Sequence, residues 1–418
     1  YFNKQVDLVG GKSRSNSVGD NAVTVIPGTT RESILNVDIT AGTGNSGLFF
    51  DAHGKTFDVP NATINLSSND GSNAGIFAQD GTVNLKANTN VNLTGGANNV
   101  GIYADNGTNL HTAVLNAEGK VNITGGTGGI GILSTGNSTS GTTATNKGTV
   151  TITAKDNVGM VAANKTGTTV TGEINQEGTV LVNAKESIGV AAVGTGAIAN
   201  IKAGSTTKAG DSTAAAGTAS GASALFADDG GKVLAVTGAT IESANGGVGA
   251  YATSTGGGAG TIDFNGATIN TKIRGLSFMA DGTGSKINFS GNTTGNIDNY
   301  GTVFYLKPVN TPSSITDTTN FNTTASILPA FTAMINNYFS NLNNLTLNMN
   351  DKSNMVVTSY ISGNVSDLTF DDTTAFGGAG RPTINGDYKA FLLDKSNITV
   401  DVDSDLDTTS TGTAAAYR

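Results

Sequence analysis

The sequence predicts an all-β fold, a right-handed parallel β-helix with about 28 residues in each three-strand coil and one helical insertion. Three observations support this architecture. A short phrase recurs at near-constant spacing, apolar and polar residues alternate in the segments between its copies, and turn-forming residues separate those segments. The composition agrees, because 58 of the 418 residues are Gly, only 13% are charged, and there is no Cys or Trp.

The repeat is a phrase of the type Asn-Val-Gly-Ile-Tyr-Ala, one copy of which begins at Asn99. Its marker glycine, or an Ala in that place, occurs at positions 47, 75, 101, 131, 159, 189, 224, 249 and 275. The steps between markers range from 25 to 35 residues, with a mean of 28.5. A unit of this size has room for three short strands but cannot bury its own apolar face. It must therefore stack on its neighbours.

Each repeat contains three predicted strands, separated by clusters of Asn, Asp and Gly. Apolar residues alternate with polar ones, as at Val121 and Ile123, which gives each strand one buried face. Gly, Asn and Asp supply the left-handed and tight-turn conformations of the corners. In two successive units the predicted strands are Gly75–Ala78, Thr82–Lys86, Asn90–Thr94, Gly101–Ala104, Thr112–Asn116 and Lys120–Thr124.

The regular shaft is predicted over residues 1–306, and residues 345–418 are predicted to be a less regular continuation of the β-helix. Between them, an insertion over residues 307–344 carries the one helical pattern, with apolar residues at steps of three and four. Ser326 is its expected cap, and Pro329 lies near its start. Long excursions from a rigid scaffold often carry binding function, whereas amphipathic helices often pack on the side of a coil. Both roles are open for this insertion.

The strand that follows each marker glycine is apolar on both faces. Aliphatic residues such as Ile102 and small ones such as Ala104 are predicted to point inward, so the residue between them must point outward. That outward position is also apolar, and it holds Phe49, Phe77, Tyr103, Leu133, Val161, Ala191, Phe226 and Tyr251. The row is either an exposed apolar surface that favours binding to a partner or, if the two faces are reversed, part of the core.

Aromatic side chains of this row and of the insertion are the candidate ligand-binding residues, because rings give a large contact area at low entropic cost. They are Tyr103, Tyr251, Phe304, Tyr305, Phe321, Phe331, Tyr338 and Phe339. We predict no catalytic residue, no cofactor and no metal ion.

Several function classes are disfavoured. A net charge of −9 with sparse Lys and Arg disfavours nucleic-acid binding. A catalytic triad would need His53 or His111 as its base, and both are expected at the surface. The nearest nucleophile turn, around Ser138 and Ser140, lacks the strand-to-helix elbow that exposes a catalytic serine.

A β-helical polysaccharide lyase or hydrolase is the alternative function, because acidic residues recur at the corner after the Gly-x-x-Ala strand. A Gly follows each of them within two residues, which favours a turn-forming role. These residues are Asp80, Asp105, Asp228, Asp229 and Asp281.

Two further binding classes are also disfavoured. Alternating acids at Asp401, Asp403, Asp405 and Asp407 share one strand face, but neighbours on that face are about 6.6 Å apart, too far for one Ca²⁺ without adjacent coils. The row Thr149, Thr151 and Thr153 is of the kind that binds ice, but we expect the variable coil lengths to scatter such an array.

The phrase from Asn99 to Ala104, followed by Asp105-Asn106-Gly107 and repeated through roughly residues 40–306, resembles the passenger regions of large monomeric (type V) autotransporter adhesins of fusobacteria and their relatives. This resemblance implies a non-enzymatic adhesin on the bacterial surface, which attaches the cell to a host receptor or glycan, or to other bacteria. It also implies a full-length protein that includes an outer-membrane translocator barrel. We expect this chain to be an internal fragment of such a protein.

Overall fold

The computed structural model describes residues 4–8, 22–24, 35–105, 112–136, 141–164, 172–255, 257–305, 324–358, 364–365, 372–393 and 399–400. Within these ranges the chain winds around three faces, and each strand pairs in parallel with the corresponding strand of the next coil. The predicted parallel β-helix with three strands per coil is confirmed.

Face 1 is a 13-stranded sheet, and its strands carry the recurring phrase. The sheet extends from one end of the described chain to the other. Its strands are Ala22–Thr24, Ser46–Asp51, Ala74–Gln79, Val100–Asp105, Ile130–Gly136, Val158–Asn164, Ile188–Val193, Ser223–Asp228, Val248–Ala252, Leu276–Ala280, Thr302–Tyr305, Asn354–Thr358 and Lys389–Leu393.

Faces 2 and 3 belong to one sheet, because the long strands Thr56–Leu66 and Thr82–Leu93 run across the corner between them. The other strands of face 2 are Ala113–Ala117, Thr142–Asn146, Gly172–Gln176, Ile198–Ile201, Lys232–Val236, Thr261–Asn265, Lys286–Gly291 and Phe339–Ser340. The other strands of face 3 are Lys4–Leu8, Leu35–Ile39, Lys120–Ile123, Thr149–Ile152, Thr179–Val182, Thr206–Ala209, Thr240–Ser243, Thr268–Thr271, Thr293–Ile297, Leu345–Met349 and Thr383–Asn385.

The two strands predicted within 82–94 are halves of one strand. Its first half pairs with Ala113–Ala117 on face 2, and its second half pairs with Lys120–Ile123 on face 3. In the next coil these two halves are separate strands, and Gly119 lies at the corner between them. A Cβ on Gly119 would lie 2.0 Å from the carbonyl oxygen of Thr89, so the two coils approach closely at this corner.

The core is one continuous cluster along the inside of the coils, from Val37 to Ala379. On face 1, Ile76, Ile102 and Ile132 are at most 2% exposed. On face 3, Val121 and Ile123 are also at most 2% exposed, whereas Lys120 and Asn122, which alternate with them, point outward. The positions that point inward and outward along these strands are therefore the ones predicted from the alternation of apolar and polar residues.

The marker glycines are required by the close approach of successive coils on face 1. A Cβ on Gly101 would lie 2.7 Å from the carbonyl oxygen of Gly131 and 3.1 Å from Leu93 Cδ1. A Cβ on Gly131 would lie 2.5 Å from the carbonyl oxygen of Gly159. Glycine within a strand often marks such an approach of another backbone. The repeat seen in the sequence is therefore a packing requirement.

The predicted marker at Gly275 is wrong. Leu276 pairs with Val248 and Phe278 pairs with Ala250, so Ser277 occupies the marker position of that coil. Gly275 belongs to the preceding turn, where its N–H donates to the carbonyl oxygen of Lys272. Consequently Leu276, which was predicted to point inward, lies outside the main core in a small cluster of its own.

A ladder of buried asparagines holds the corner that leads into face 1. Asn45, Asn73, Asn99 and Asn157 are each at most 2% exposed. Asn45 Nδ2 donates to Asn73 Oδ1 at 3.0 Å, and Asn73 Nδ2 donates to Asn99 Oδ1 at 3.3 Å. Buried amides need hydrogen-bond partners, and Asn45 and Asn73 find theirs in the next coil, whereas Asn99 and Asn157 donate to carbonyl groups of their own corners, Gly95 and Lys155. These hydrogen bonds explain the Asn that opens the recurring phrase.

Differences in coil length are absorbed at the corners. The 35-residue step between Gly189 and Ala224 includes an excursion over residues 210–222, between face 3 and face 1. In spite of this excursion, Thr206 on face 3 pairs with Thr179 of the preceding coil and with Thr240 of the following one. The register of the faces is therefore independent of the length of the corners.

The helix predicted in the insertion spans Thr324–Tyr338 and packs into the core. It begins before Ser326, so the prediction that Ser326 is the cap is wrong, and Pro329 lies inside the helix. Pro329 removes one intrahelical hydrogen bond, and burial of the apolar face stabilises the helix instead. No helix of the described residues is long and apolar enough to cross a membrane.

After the helix, the chain returns to face 2 at Phe339–Ser340 and to face 3 at Leu345–Met349. A second short helix, Asp372–Ala375, precedes the face 3 strand Thr383–Asn385. Asn364–Val365 and Thr399–Val400 form a separate two-stranded pair. The sequence also predicts strands at Leu345–Met349, Asn354–Thr358, Tyr388–Leu393 and Asn397–Val402. The first three continue the coils, whereas Thr399–Val400 belongs to the separate pair, and Asp401 to Asp407 lie outside the described residues.

We expect Ile102→Asp to lower the free energy of unfolding by several kcal/mol, because it places an uncompensated charge inside the coil. Urea unfolding followed by circular dichroism measures this change. The control is Thr151→Asp, on the outer side of face 3, which should shift the unfolding midpoint little. Equal losses in the two variants would contradict the assignment of inner and outer positions.

Candidate binding surface on face 1

The outer side of face 1 carries a continuous apolar row, which we call the outer row. It contains Phe49, Phe77, Tyr103, Leu133, Val161, Ala191, Phe226, Tyr251, Met279, Tyr305 and Val357. None of these residues belongs to the main core cluster, even where its side chain is buried, as at Phe49 and Ala191. The prediction that this row points outward is confirmed, and the reversed assignment of the two faces is wrong.

A second outward row lies beside the first, immediately before the marker glycines, and includes Val100, Ile130, Val158 and Ile188. The face 1 strands from Ser46–Asp51 to Thr302–Tyr305 contain no Lys or Arg. The outer side of face 1 is therefore a broad apolar surface without cations, and its acidic residues occur only where a strand ends, as at Asp51, Asp105 and Asp228.

Aromatic rings occupy two segments of the outer row. In the first, the ring of Phe77 lies 5.3 Å from Phe49 and 4.9 Å from Tyr103, and the Phe77 and Tyr103 planes differ by only 12°. In the second, Phe226 and Tyr251 meet edge to face at 5.5 Å. Aliphatic side chains from Leu133 to Ala191 separate the two segments. Stacking between successive coils therefore fixes the orientation of the rings.

Hydroxyl groups tie the two tyrosines to the acidic margin of the face. Tyr103 Oη donates to Asp105 Oδ2 at 2.8 Å and lies 3.1 Å from Thr135 Oγ1 of the next coil. Tyr251 Oη donates to Asp281 Oδ1 at 3.1 Å, and Thr253 Oγ1 donates to the same oxygen at 2.7 Å. Burial of the hydroxyl and the nearby Asp105 carboxylate raise the pKa of Tyr103 well above its ordinary value of 10.0.

The outer sides of faces 2 and 3 are polar, in contrast to face 1. On face 3, Asn92 Nδ2 donates to Asn65 Oδ1 at 2.8 Å, and Asn122 Nδ2 donates to Asn92 Oδ1 at 2.9 Å. Further along the same face, Lys208 Nζ lies 3.2 Å from Glu242 Oε1. Where this β-helix faces water on faces 2 and 3, its outer side chains form amide ladders and ion pairs. The outer side of face 1 differs from them because its side chains are apolar.

Face 3 also carries a column of threonines in register, comprising Thr149, Thr179, Thr206, Thr240, Thr268, Thr294, Thr346 and Thr383. The expectation that variable coil lengths would scatter the threonines is wrong, because those lengths change only the corners. The adjacent outward column in the same coils is mixed, however, with Leu181, Lys208 and Glu242 among its members. A flat two-column threonine array is therefore not formed in these coils.

Four of the predicted binding aromatics are part of the core. Phe304, Phe331 and Phe339 are at most 2% exposed, and Tyr338 is 9% exposed. The Phe304 ring lies 5.0 Å from Phe339 and 6.0 Å from Phe331. Because these side chains fill the coil where the helix enters it, we correct their expected role from ligand contact to core packing.

The remaining predicted residues are on the outer row or are not described. Tyr103, Tyr251 and Tyr305 are half-buried on face 1, where part of each side chain reaches the surface. Phe321 lies outside the described residues. Of the eight predicted binding residues, these three tyrosines are the ones that the structure places on one surface.

The acidic corner residues make local hydrogen bonds. Asp228 Oδ2 accepts from Thr255 Oγ1 at 2.6 Å, and Asp229 Oδ1 accepts from the Gly258 N–H at 3.0 Å. Asp80 and Asp229 have left-handed backbones, with φ of 55° and 51°. These contacts fit the turn-forming role predicted from the sequence. His53 is exposed at a corner, as predicted, whereas His111, Ser138 and Ser140 lie outside the described residues.

An open pocket of about 460 Å³ lies beside the C-terminal end of the helix. Its lining includes Lys286, Asn336, Asn341 and the backbone of Gly378 and Gly380. Lys286 Nζ donates to the carbonyl oxygens of Asn336 and Asn337 at the end of the helix, where a cation stabilises unpaired carbonyl groups. The residues that line this pocket include no carboxylate.

Comparison of the chain with protein-family models, with curated proteins and with solved structures found no match.

The raised pKa of Tyr103 predicts a pH dependence of stability. Its hydroxyl should remain protonated in the folded chain above pH 10, where an unfolded tyrosine ionises, so stability present below about pH 10 is lost as the pH rises further. Urea unfolding at pH 8 and at about pH 11 measures this loss. We expect a smaller loss in Tyr103→Phe. An identical loss in the two proteins would contradict the environment described for this hydroxyl.

Proposed function

We propose that this chain is a non-enzymatic adhesin segment, a rigid β-helical shaft that presents the outer side of face 1 to its partner. The partner is a receptor or glycan on a host cell, or the surface of another bacterium. The observation that carries the proposal is the continuous apolar outer row, with aromatic rings in two segments and no Lys or Arg in the face 1 strands from 46 to 305. Contiguous apolar patches on a protein surface mark sites of interaction. The members of the row that reach the surface are Phe77, Tyr103, Leu133, Phe226, Tyr251, Met279 and Tyr305.

The shape of the chain supports this role. Stacked strands lie about 4.8 Å apart, so the 13 strands of face 1 give a rod of roughly 60 Å. Such a rod holds its apolar surface at a fixed orientation over a long distance. The sequence resemblance supports a further step, in which the chain belongs to the passenger of an autotransporter, joined in the full-length protein to an outer-membrane translocator barrel and exposed at the bacterial surface.

Features of the acidic residues also support a non-enzymatic role. A lyase or hydrolase needs carboxylates that converge on a substrate groove. Asp105, Asp228 and Asp281 instead occupy separate coils along the rod and accept hydrogen bonds from neighbouring Tyr or Thr side chains. Asp80 lies beside Asp51 at an exposed corner of the rod. The open pocket beside the helix is lined by a lysine, amides and backbone groups.

The double variant Phe226→Thr/Tyr251→Thr tests the binding surface. Both rings belong to the outer row, and Thr fits an outward strand position, so the coils should still form. The chain is first screened on glycan and protein arrays, and the affinity for each ligand found is then measured. We expect the variant to bind at least about tenfold more weakly, a change of about 1.4 kcal/mol.

The matched control is Leu181→Thr/Leu234→Thr, which makes the same kind of change at half-buried outward positions of faces 3 and 2. It should bind as the unmodified chain does. Equal binding by both variants, or equal losses in both, would contradict the assignment of binding to face 1. Circular dichroism of each variant checks that the β-helix is intact.

The enzymatic alternative predicts turnover. We expect the purified chain to release no product from acidic polysaccharides or from casein, with or without added Ca²⁺. Reducing-end and peptide-release assays measure this. Product formation that disappears in Asp105→Asn, or in a variant of another single Asp, Ser or His, would replace the adhesin proposal with the lyase or hydrolase.

A further inference from the structure

The first fully described corner after face 1 brings an imidazole and two carboxylates together. Asp51 ends the strand Ser46–Asp51, His53 follows in the corner, and Asp80 follows the equivalent strand of the next coil. The nitrogen and oxygen atoms of this set lie within 4.8 Å of one another. Among the described residues, this is the group of at least three His and acidic side chains whose possible ligand atoms lie close enough together to bind one metal ion.

The backbone holds this corner in place from both sides of His53. The Ala52 N–H donates to the carbonyl oxygen of Gln79 at 3.1 Å, and the Gly54 N–H donates to that of Asp80 at 2.5 Å. His53 is therefore attached to the same coil that supplies Asp80. The imidazole is 74% exposed, whereas the Asp80 side chain is only 8% exposed, so the set is open to solvent on the histidine side.

The distances within the set fit a metal ion better than direct hydrogen bonds. His53 Nδ1 lies 3.4 Å from Asp80 Oδ2 and 3.6 Å from Asp51 Oδ1. Charge-assisted N–H···O bonds are about 2.7–2.9 Å long, so both separations are too large for one. Ligand atoms about 2.1 Å from a tetrahedral Zn²⁺ lie about 3.4 Å from each other, which is close to both separations.

Asp51 supplies a second observation. Its side chain is 26% exposed, but its Oδ1 atom faces the protein and accepts no hydrogen bond from the described residues. A carboxylate oxygen withdrawn from water normally has a donor or a cation beside it. This oxygen lies 3.6 Å from His53 Nδ1, so a cation between the two would satisfy it.

We propose that Asp51, His53 and Asp80 bind a divalent first-row transition-metal ion, with Zn²⁺ as the representative. Mg²⁺ and Ca²⁺ prefer all-oxygen ligands, whereas a mixed imidazole and carboxylate set suits Zn²⁺. Three protein ligands leave a coordination position for water. Because Asp51 and Asp80 belong to successive coils, the ion would link those coils at a corner. This proposal does not depend on the adhesin proposal.

The test uses the full chain and Zn²⁺ alone, in a buffer that does not chelate metal. Isothermal titration calorimetry at about pH 7.5 should show one ion per chain, and Zn²⁺ should raise the melting temperature. We expect His53→Ala to weaken binding at least about tenfold and to abolish the rise in melting temperature. Because His53 is exposed, this variant should fold normally.

Two controls make the outcome decisive. His111→Ala, which removes the other histidine of the chain, should bind Zn²⁺ as the unmodified chain does. Ca²⁺ and Mg²⁺ at the same concentration should produce no rise in melting temperature. The proposal is overturned if Zn²⁺ neither binds nor stabilises the chain, if His53→Ala binds it unchanged, if His111→Ala loses it, or if Ca²⁺ stabilises equally well.

Discussion

The whole architecture depends on one constraint, the close approach of consecutive backbones at the marker position of face 1. At Gly101 and Gly131 there is no room for a side chain between one coil and the carbonyl group of the next. This approach brings the inward aliphatic residues into van der Waals contact along the axis and aligns the buried asparagines into a ladder. No coil can bury its apolar face alone, so stability is shared between neighbours.

Much of the fold could be predicted from the sequence because this constraint repeats. The period, the three strands of each coil and the inward or outward direction of each face 1 residue follow from the glycine spacing and from alternation. The prediction failed where one coil substitutes another residue for glycine, as at Ser277, because no pattern in the sequence distinguishes Gly275 in a turn from a marker. It also failed at Ser326, because the helix begins at Thr324, before the expected cap.

The candidate site was only partly predictable. Tyr103 and Tyr251 were found because they recur at one strand position, whereas Phe304 and Phe331 were misassigned because aromatic residues in an insertion look alike whether they fill a core or face a partner. The His53 corner was missed as a cluster, since its residues are distant in sequence. A signal did exist, because Asp51 and Asp80 are 29 residues apart, which is one coil. Only the register shows that this spacing brings them together.

The helix Thr324–Tyr338 has a mechanical consequence for a rod held at its ends. Tension along the axis is borne by the hydrogen bonds between coils, and in most coils all three faces share the load. Where the helix enters, face 2 contributes only the pairs Ile287–Phe339 and Asn288–Ser340. Ring contacts such as Phe304–Phe331 and Phe331–Phe376 pack the core there instead. Beyond Phe339–Ser340 no described strand continues face 2, so a pulled rod would yield from this coil onward and leave the regular coils before it intact.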